Sequence, residues 1–184
     1  MDFIKKENCA LSVVDIQERF MPAIPEEPRG RMIKNTQILI ETAKTLGIPI
    51  LITEQYPKGL GTTIEVIADT IGDGVKPIEK LHFSCARSEY YKAQLKETGR
   101  KEVILCGIET HVCVLQTAID LINDGYRVYI PADAVYSRRE LDWEIGLKTA
   151  EKAGVLIGTT ETFVFQLLEK AGTDEFKRVS KLLR

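Results

Sequence analysis

The chain alternates short apolar runs with longer amphipathic segments, and this alternation constrains its fold more than any other feature. The apolar runs predict strands at Cys9–Asp15, Ile48–Thr53, Glu102–Cys106, Tyr126–Ile130 and Val155–Ile157, with a weaker one near Val75–Ile78. Helical spacing marks the segments 30–46, 88–98, 111–124 and 138–153. A glycine follows each of these segments, as is common where a helix ends.

Near-continuous apolar strands separated by helices indicate βαβ units around a buried parallel sheet. Since such crossovers are right-handed, we expect an α/β fold, a three-layer α/β/α sandwich with a mainly parallel, Rossmann-like central sheet. Ligands in such folds bind beyond the carboxyl ends of the strands. Asp15 and the loop before Cys113 both lie at predicted carboxyl ends, so we expect the two to meet.

Length and charge narrow the possible functions. The 184 residues fit one domain spanning 1–184, and a net charge of −2 gives no basic surface for nucleic acid. The sequence contains no apolar run of about 18 residues, so we expect no membrane span. The charged start of the chain, Met1–Glu7, lacks the apolar core of a signal peptide. We therefore expect a cytoplasmic protein.

Cys113 is the strongest candidate for chemistry among four widely spaced cysteines. It lies between a predicted strand and a predicted helix, where the helix dipole favours a thiolate and free N–H groups can hold an oxyanion. Cys9 and Cys106 lie in or beside apolar runs and are expected to pack as small hydrophobic residues. Cys85 either lines a cleft or has no special role.

A cysteine nucleophile needs a base and a stabilising charge. The two histidines are His82, which should point to the same side as Lys80 on an extended segment, and His111, which fits an ordinary first-turn residue. Asp15 could instead begin a capping box, and Lys80 could be a solvated lysine. Glu109 should raise the pKa of the thiol unless its carboxylate points away, and we expect that it does.

Three ordered motifs resemble those of the isochorismatase-like cysteine hydrolases. They are Asp15-x-Gln17-x-x-Phe20, Lys80-Leu81-His82-Phe83-Ser84 and Gly107-Ile108-Glu109-Thr110-His111-Val112-Cys113. The resemblance spans nearly the whole chain and includes Asp133–Arg138 and Gly158–Thr162.

This resemblance implies a catalytic triad in which Asp15 is the general base, Lys80 the electrostatic partner and Cys113 the nucleophile. It also implies a cis peptide bond between Ile108 and Glu109. The backbone N–H groups of Glu109 and Cys113 would form the oxyanion hole. If the Thr110 hydroxyl caps the helix, it competes for the N–H of Cys113.

Nicotinamidases of this family bind a metal through histidines soon after the second strand, but residues 53–61 contain none. We therefore expect no metal and no other cofactor. Isochorismatases, which cleave a vinyl ether, need not use a cysteine, so Cys113 favours acyl transfer. The expected reaction is hydrolysis of a small amide- or ureide-type C–N substrate through a thioester.

Several expectations concern surfaces rather than chemistry. Phe20, Gln55, His82 and Phe83 are predicted to line the substrate pocket, and Met21–Pro28 is predicted to be a long loop, either a lid or plain surface. The resemblance implies a homo-oligomer. Residues Thr173–Arg184 could form a contact helix or pack on the chain's own sheet. The alternatives to the amide reaction are vinyl-ether hydrolysis, thiol redox sensing and a non-catalytic binding protein.

Overall fold

The computed structural model describes residues 3–183, which form strands and helices in alternation. The strands are β1 (Cys9–Val14), β2 (Ile50–Gln55), β3 (Ile78–Lys80), β4 (Glu102–Ile108), β5 (Arg127–Pro131), β6 (Val135–Tyr136) and β7 (Leu156–Gly158). The α-helices are α1 (Glu26–Leu46), α2 (Pro57–Leu60), α3 (Glu65–Ile71), α4 (Glu89–Glu97), α5 (Leu115–Asn123), α6 (Glu140–Lys152), α7 (Thr160–Leu168) and α8 (Asp174–Val179). Two 3-10 turns, Glu18–Ala23 and Cys85–Arg87, and one π-helical turn, Thr110–Val114, complete the chain.

The sheet has the order β3-β2-β1-β4-β5-β7, and β6 pairs with β4. Every pairing is parallel. Helices cover both faces, so the prediction of an α/β/α sandwich around a parallel sheet is confirmed. The central strands β1 and β4 are fully buried, which explains their continuous apolar sequences.

Alternate residues of β1 face different apolar clusters. Leu11 and Val13 pack in a cluster with residues of α1, α7 and α8. Ala10 and Val14 pack in a second cluster with residues of α4, α5 and α6, and this second cluster contains Cys113. The nucleophile candidate therefore lies on the α4–α6 side of the sheet.

The prediction of a long loop over Met21–Pro28 is wrong. Its first part belongs to the 3-10 turn Glu18–Ala23, and α1 begins at Glu26 rather than at residue 30. Pro28 lies in the first turn of α1, where a proline is tolerated because the N–H it lacks has no partner within the helix. The prolines of this segment therefore mark the start of a helix.

The C-terminal segment packs on the chain's own core. Helix α8 covers six residues, and Val179 is buried while Phe176, Leu182 and Leu183 pack against the cluster that includes α1. Of the two alternatives for Thr173–Arg184, the structure supports internal packing, although Arg184 lies outside the described residues.

Within residues 3–183, no helix has both the length and the apolar character needed to cross a membrane.

Candidate active site

The carboxyl ends of four neighbouring strands bring the predicted site residues together. In register, Val14 pairs with Thr53 on one side and with Gly107 on the other, and Gln55 pairs with Lys80. Asp15 directly follows Val14, and the turn that carries Cys113 follows β4. The parallel sheet therefore places side chains that are far apart in the sequence at one edge.

Asp15 is fully buried and has a left-handed backbone conformation, with φ 51°. Aspartate tolerates this conformation better than most residues do, and such strain is common at functional sites. Its Oδ2 accepts a hydrogen bond of 2.6 Å from Lys80 Nζ, and its Oδ1 accepts one of 2.7 Å from the Thr53 hydroxyl. The alternative of a capping box is wrong, since the following 3-10 turn has Gln17 as its N-cap and no side-chain cap.

Lys80 is buried, so the alternative of a solvated lysine is also wrong. Besides Asp15, its Nζ donates to Gln55 Oε1 at 2.8 Å and to the carbonyls of Phe83 at 3.1 Å and His82 at 3.3 Å. Burial lowers the pKa of Lys80 and is the largest single effect, but the charge of Asp15, the nearby Cys85 and Cys113 and the hydrogen bond to Asp15 together outweigh it, so the pKa lies above its usual value. Lys80 is therefore a fixed positive charge at neutral pH.

Cys113 lies in the π-helical turn and is only 4% exposed. Burial raises the pKa of its thiol, and the negative charge of Asp15 raises it further, whereas Lys80 lowers it. The net shift is strongly upward, so the expectation that this junction favours a resting thiolate is wrong. The direction of this shift favours the neutral thiol beside the Asp15–Lys80 salt bridge.

Glu109 points away from the thiol, as we expected. Its Oε1 accepts from the Arg138 Nε at 2.9 Å, and its Oε2 accepts from Arg138 Nη2 at 3.2 Å. The backbone N–H of Arg138 adds a third bond at 3.1 Å. The peptide bond between Ile108 and Glu109 is cis, at the position that the family resemblance implies.

The π-helical turn gives the backbone around Cys113 an uncommon hydrogen-bond pattern. The carbonyl of Glu109 accepts from the N–H groups of Val112 and Val114. Among the described residues, the N–H of Cys113, between these two donors, does not bond to that carbonyl. The Thr110 hydroxyl caps nothing and is buried without a partner in the described part of the chain. It therefore does not compete for the N–H of Cys113.

The four residues predicted to line the pocket have different positions. Gln55 is buried and holds Lys80, while its Nε2 donates to the carbonyl of Leu81 at 2.9 Å. His82 and Phe83 expose their side chains and turn their carbonyls towards Lys80. Phe20 is half-buried against the α1 side of the sheet, opposite the cluster that contains Cys113.

His111 is half-buried, and its Nδ1 lies 3.0 Å from the Ser137 hydroxyl. It therefore has the ordinary place in the first turn that its position in the sequence suggested.

Sequence reasoning missed Thr53 beside Asp15, and Cys85, for which lining a cleft was one of two alternatives, is fully buried next to Thr53. Thr53 donates to Asp15, and the Cys85 Sγ lies 3.6 Å from the Thr53 hydroxyl oxygen. The available signal was that Thr53 is a polar residue at the end of an apolar run next to β1.

Across residues 3–183, no cluster of three or more His, Cys, Asp or Glu side chains is arranged to hold a metal ion.

Comparison with known proteins identifies the family. The model of the isochorismatase domain matches residues 9–162. The secreted isochorismatase effector Isc1 of Phytophthora sojae (strain P6497) is 38% identical over 180 residues, covering 96% of this chain and 85% of that protein. The structure of MAR1 ribonuclease from Caenorhabditis elegans has a TM-score of 0.92 at 37% identity, covering 99% of this chain and 92% of that one.

A more distant structure shares the fold. The YcaC gene product of Escherichia coli, described as an octameric hydrolase of unknown specificity, has a TM-score of 0.90 at 20% identity and covers 98% of this chain and 90% of that one. With the domain match and the identity to Isc1, the assignment is secure. This chain belongs to the isochorismatase domain family and has the hydrolase fold of that family.

Proposed function

We propose that this protein is a cysteine-dependent hydrolase of a small amide- or ureide-type C–N substrate and acts through a thioester. The observation that carries the proposal is the buried Asp15 carboxylate, which is bonded to Lys80 and raises the pKa of the neighbouring Cys113 thiol. A carboxylate next to a protonated nucleophile can take its proton during attack. The site then needs no histidine base.

In the first half-reaction, Asp15 takes the thiol proton as Sγ of Cys113 attacks the substrate carbonyl. The carbonyl electrons move to oxygen, and the N–H groups of Glu109 and Cys113 hold the oxyanion. When the oxyanion collapses, the C–N bond breaks and the amine leaves with the proton from Asp15. An acyl thioester on Cys113 remains.

In the second half-reaction, Asp15 takes a proton from a water molecule that attacks the thioester. The C–S bond breaks, the acid leaves, and the thiolate recovers its proton from Asp15. Lys80 keeps its proton throughout, since its pKa is raised, and stabilises whichever neighbour is negative.

We propose that the exposed side chains of His82 and Phe83 border the substrate site, because their carbonyls already contact Lys80. Phe20 and Gln55 stay weaker candidates for binding.

Two rival reactions come from the names of relatives. Isc1 is named an isochorismatase, which makes vinyl-ether hydrolysis a candidate, and the C. elegans protein is named a ribonuclease. Neither reaction requires a cysteine nucleophile. A net charge of −2 also provides little attraction for RNA phosphates.

The redox and scaffold alternatives have less support. Redox-sensing cysteines typically have a lowered pKa, whereas burial and Asp15 raise the pKa of Cys113. A scaffold has no need for an ion pair as deeply buried as Asp15 and Lys80, because such pairs are weak contributors to stability.

A hydrolysis screen tests the proposal. Wild type and Cys113→Ala are compared on small amides, ureides, isochorismate-type vinyl ethers and single-stranded RNA, with Cys106→Ala as the matched control for loss of a buried thiol. We expect turnover of an amide or ureide that Cys113→Ala abolishes and Cys106→Ala retains. Turnover that survives in Cys113→Ala, on any of these substrates, would refute the thioester mechanism.

We also propose a cytoplasmic homo-oligomer. The oligomer is supported by the octameric E. coli protein with this fold and by exposed apolar side chains, including Leu81 and Phe83. The cytoplasmic location is supported by the four cysteines, all of which are free. Sedimentation of the purified protein and localisation of a tagged copy test the two statements separately.

A further inference from the structure

Cys85 is a buried thiol that the proposed mechanism does not use. It is fully buried, and its Sγ lies 3.6 Å from the hydroxyl oxygen of Thr53. That hydroxyl in turn lies 2.7 Å from Oδ1 of Asp15. The backbone N–H of Cys85 donates to the Thr117 hydroxyl at 2.8 Å, which fixes this turn against α5. Cys85, Thr53 and Asp15 therefore form a continuous chain of polar contacts.

The contact between Thr53 and Cys85 can run in either direction, because a hydroxyl and a thiol each carry one hydrogen and can each accept one. While Asp15 is ionised, Thr53 donates to Oδ1 and the thiol of Cys85 donates to Thr53. If Oδ1 gains a proton, it can donate to Thr53, and Thr53 can turn its hydrogen towards Cys85 Sγ. Each hydrogen stays on its own atom, and only two bonds rotate.

Lys80 determines which oxygen of Asp15 can hold a proton. Its Nζ lies 2.6 Å from Oδ2, and an ammonium group can only donate hydrogen bonds. A proton on Oδ2 would face the N–H groups of Lys80 and would have no hydrogen-bond acceptor. A proton on Oδ1 can be donated to the Thr53 hydroxyl oxygen, provided that the hydrogen of Thr53 has an acceptor of its own. Sγ of Cys85 is that acceptor.

We infer that Cys85 and Thr53 are positioning residues that support Asp15 in both of its protonation states. The inference rests on the proposed function in one respect, that Asp15 takes the proton of Cys113. The titratable groups that face Asp15 are Lys80 on β3, Cys113 on the π-helical turn and Cys85 on the 3-10 turn. Behind Cys85, Tyr91 of α4 is neutral and donates to the Ser12 hydroxyl at 3.0 Å.

Alkylation of Cys113 by iodoacetamide tests this inference without a substrate. Alkylation requires the thiolate, and at neutral pH that thiolate forms when its proton moves to Asp15. Rates are measured by peptide mass mapping from pH 6 to pH 9, below the range in which the buried thiols destabilise the fold, in wild type, Cys85→Ala, Cys85→Ser and Cys106→Ala. Cys106→Ala removes an equally buried thiol on the other face of the sheet.

At neutral pH we expect Cys85→Ala to slow alkylation of Cys113 about threefold to tenfold, the loss of one net hydrogen bond. Cys85→Ser should recover most of the rate, since serine can also donate and accept, and Cys106→Ala should match wild type. The difference between Cys85→Ala and wild type should shrink as pH rises towards 9, because hydroxide in the solvent increasingly replaces Asp15 as the group that takes the proton. Two results would overturn the inference. One is that Cys113 is alkylated at neutral pH at least as fast in Cys85→Ala as in Cys106→Ala. The other is that Cys85→Ala slows alkylation of Cys113, relative to wild type, by the same factor at every pH.

These outcomes are independent of the hydrolysis screen. If no amide or ureide is hydrolysed, the proposed function fails, and the alkylation rates still report whether Cys85 supports the protonated Asp15. If an amide is hydrolysed but Cys85→Ala alkylates as the control does, the proposed function stands and this inference fails.

Discussion

The Nζ atom of Lys80 lies 2.6 Å from Oδ2 of Asp15, and neither side chain is exposed to solvent. Each charge is tolerated inside the protein because the other is present. The pair comes from the ends of β3 and β1, which are separated in the sheet by β2. The ion pair therefore both links the ends of two strands of the sheet and sets the charge of the candidate site.

Lys80→Met should lower the free energy of unfolding by about 3–5 kcal/mol, because it leaves the Asp15 charge buried and unpaired. Urea denaturation measures this loss. Lys148→Met is the matched control, since Lys148 forms an exposed pair with Glu144 and its loss should cost less than about 0.5 kcal/mol. Equal losses in the two variants would show that the Asp15–Lys80 pair is not desolvated in solution.

The buried cysteines should make stability fall at alkaline pH. Burial raises the pKa of Cys85 to about 11 and that of Cys106 to about 12, from a usual value of 9.0. Above pH 9 the unfolded chain loses these protons while the folded chain keeps them. Because the folded pKa is the higher one, the stabilisation is complete below pH 9 and is lost as pH rises towards 11–12.

Cys106→Ala isolates one of these groups. With one fewer buried thiol, the loss of stability between pH 7 and pH 10 should shrink by about 1.4 kcal/mol, the value of one pH unit above the unfolded pKa. Urea titrations at the two pH values in wild type and variant give this difference. An identical loss in both proteins would mean that Cys106 titrates in the folded state as it does in the unfolded state.

Gly107→Ala should prevent stable folding. Gly107 has φ +115°, and a Cβ atom there would lie 2.0 Å from the carbonyl oxygen of Val14, so β1 and β4 could not approach as they do. We expect a loss above about 4 kcal/mol, measured by circular dichroism and urea denaturation. Gly30→Ala is the control. Its Cβ meets nothing within 4 Å inside α1, so it should stabilise by about 0.5–1 kcal/mol. A Gly107→Ala protein as stable as Gly30→Ala would contradict the described approach of the strands.

Much of the fold could be predicted from the sequence because apolar runs and helix-ending glycines are local signals. The strands ended within about two residues of their predicted positions in most cases, with β2 extending to Gln55. Four elements were missed, namely α2, α3, β6 and α7. Strand β6 has only two residues, and α7 follows β7 after a single residue, so that no loop separates their patterns.

The candidate site was predictable only in part. Asp15, Lys80 and Cys113 could be grouped because each ends or follows an apolar run, and the family resemblance gave them roles. The position of His82 could not be inferred, since the chain turns after β3 ends at Lys80 and the alternation of an extended strand stops. The upward shift in the pKa of Cys113 depends on burial and on Asp15, two three-dimensional facts that a motif does not contain.

The most direct test of the central claim is the mass of the protein during turnover. Wild type reacting with the amide or ureide identified in the screen is quenched in acid, and the intact protein and its peptides are weighed. We predict an added mass equal to the acyl group of the substrate, located on Cys113 and absent from Cys113→Ala. Turnover of the same substrate with no acyl adduct on Cys113, together with activity in Cys113→Ala, would contradict the account.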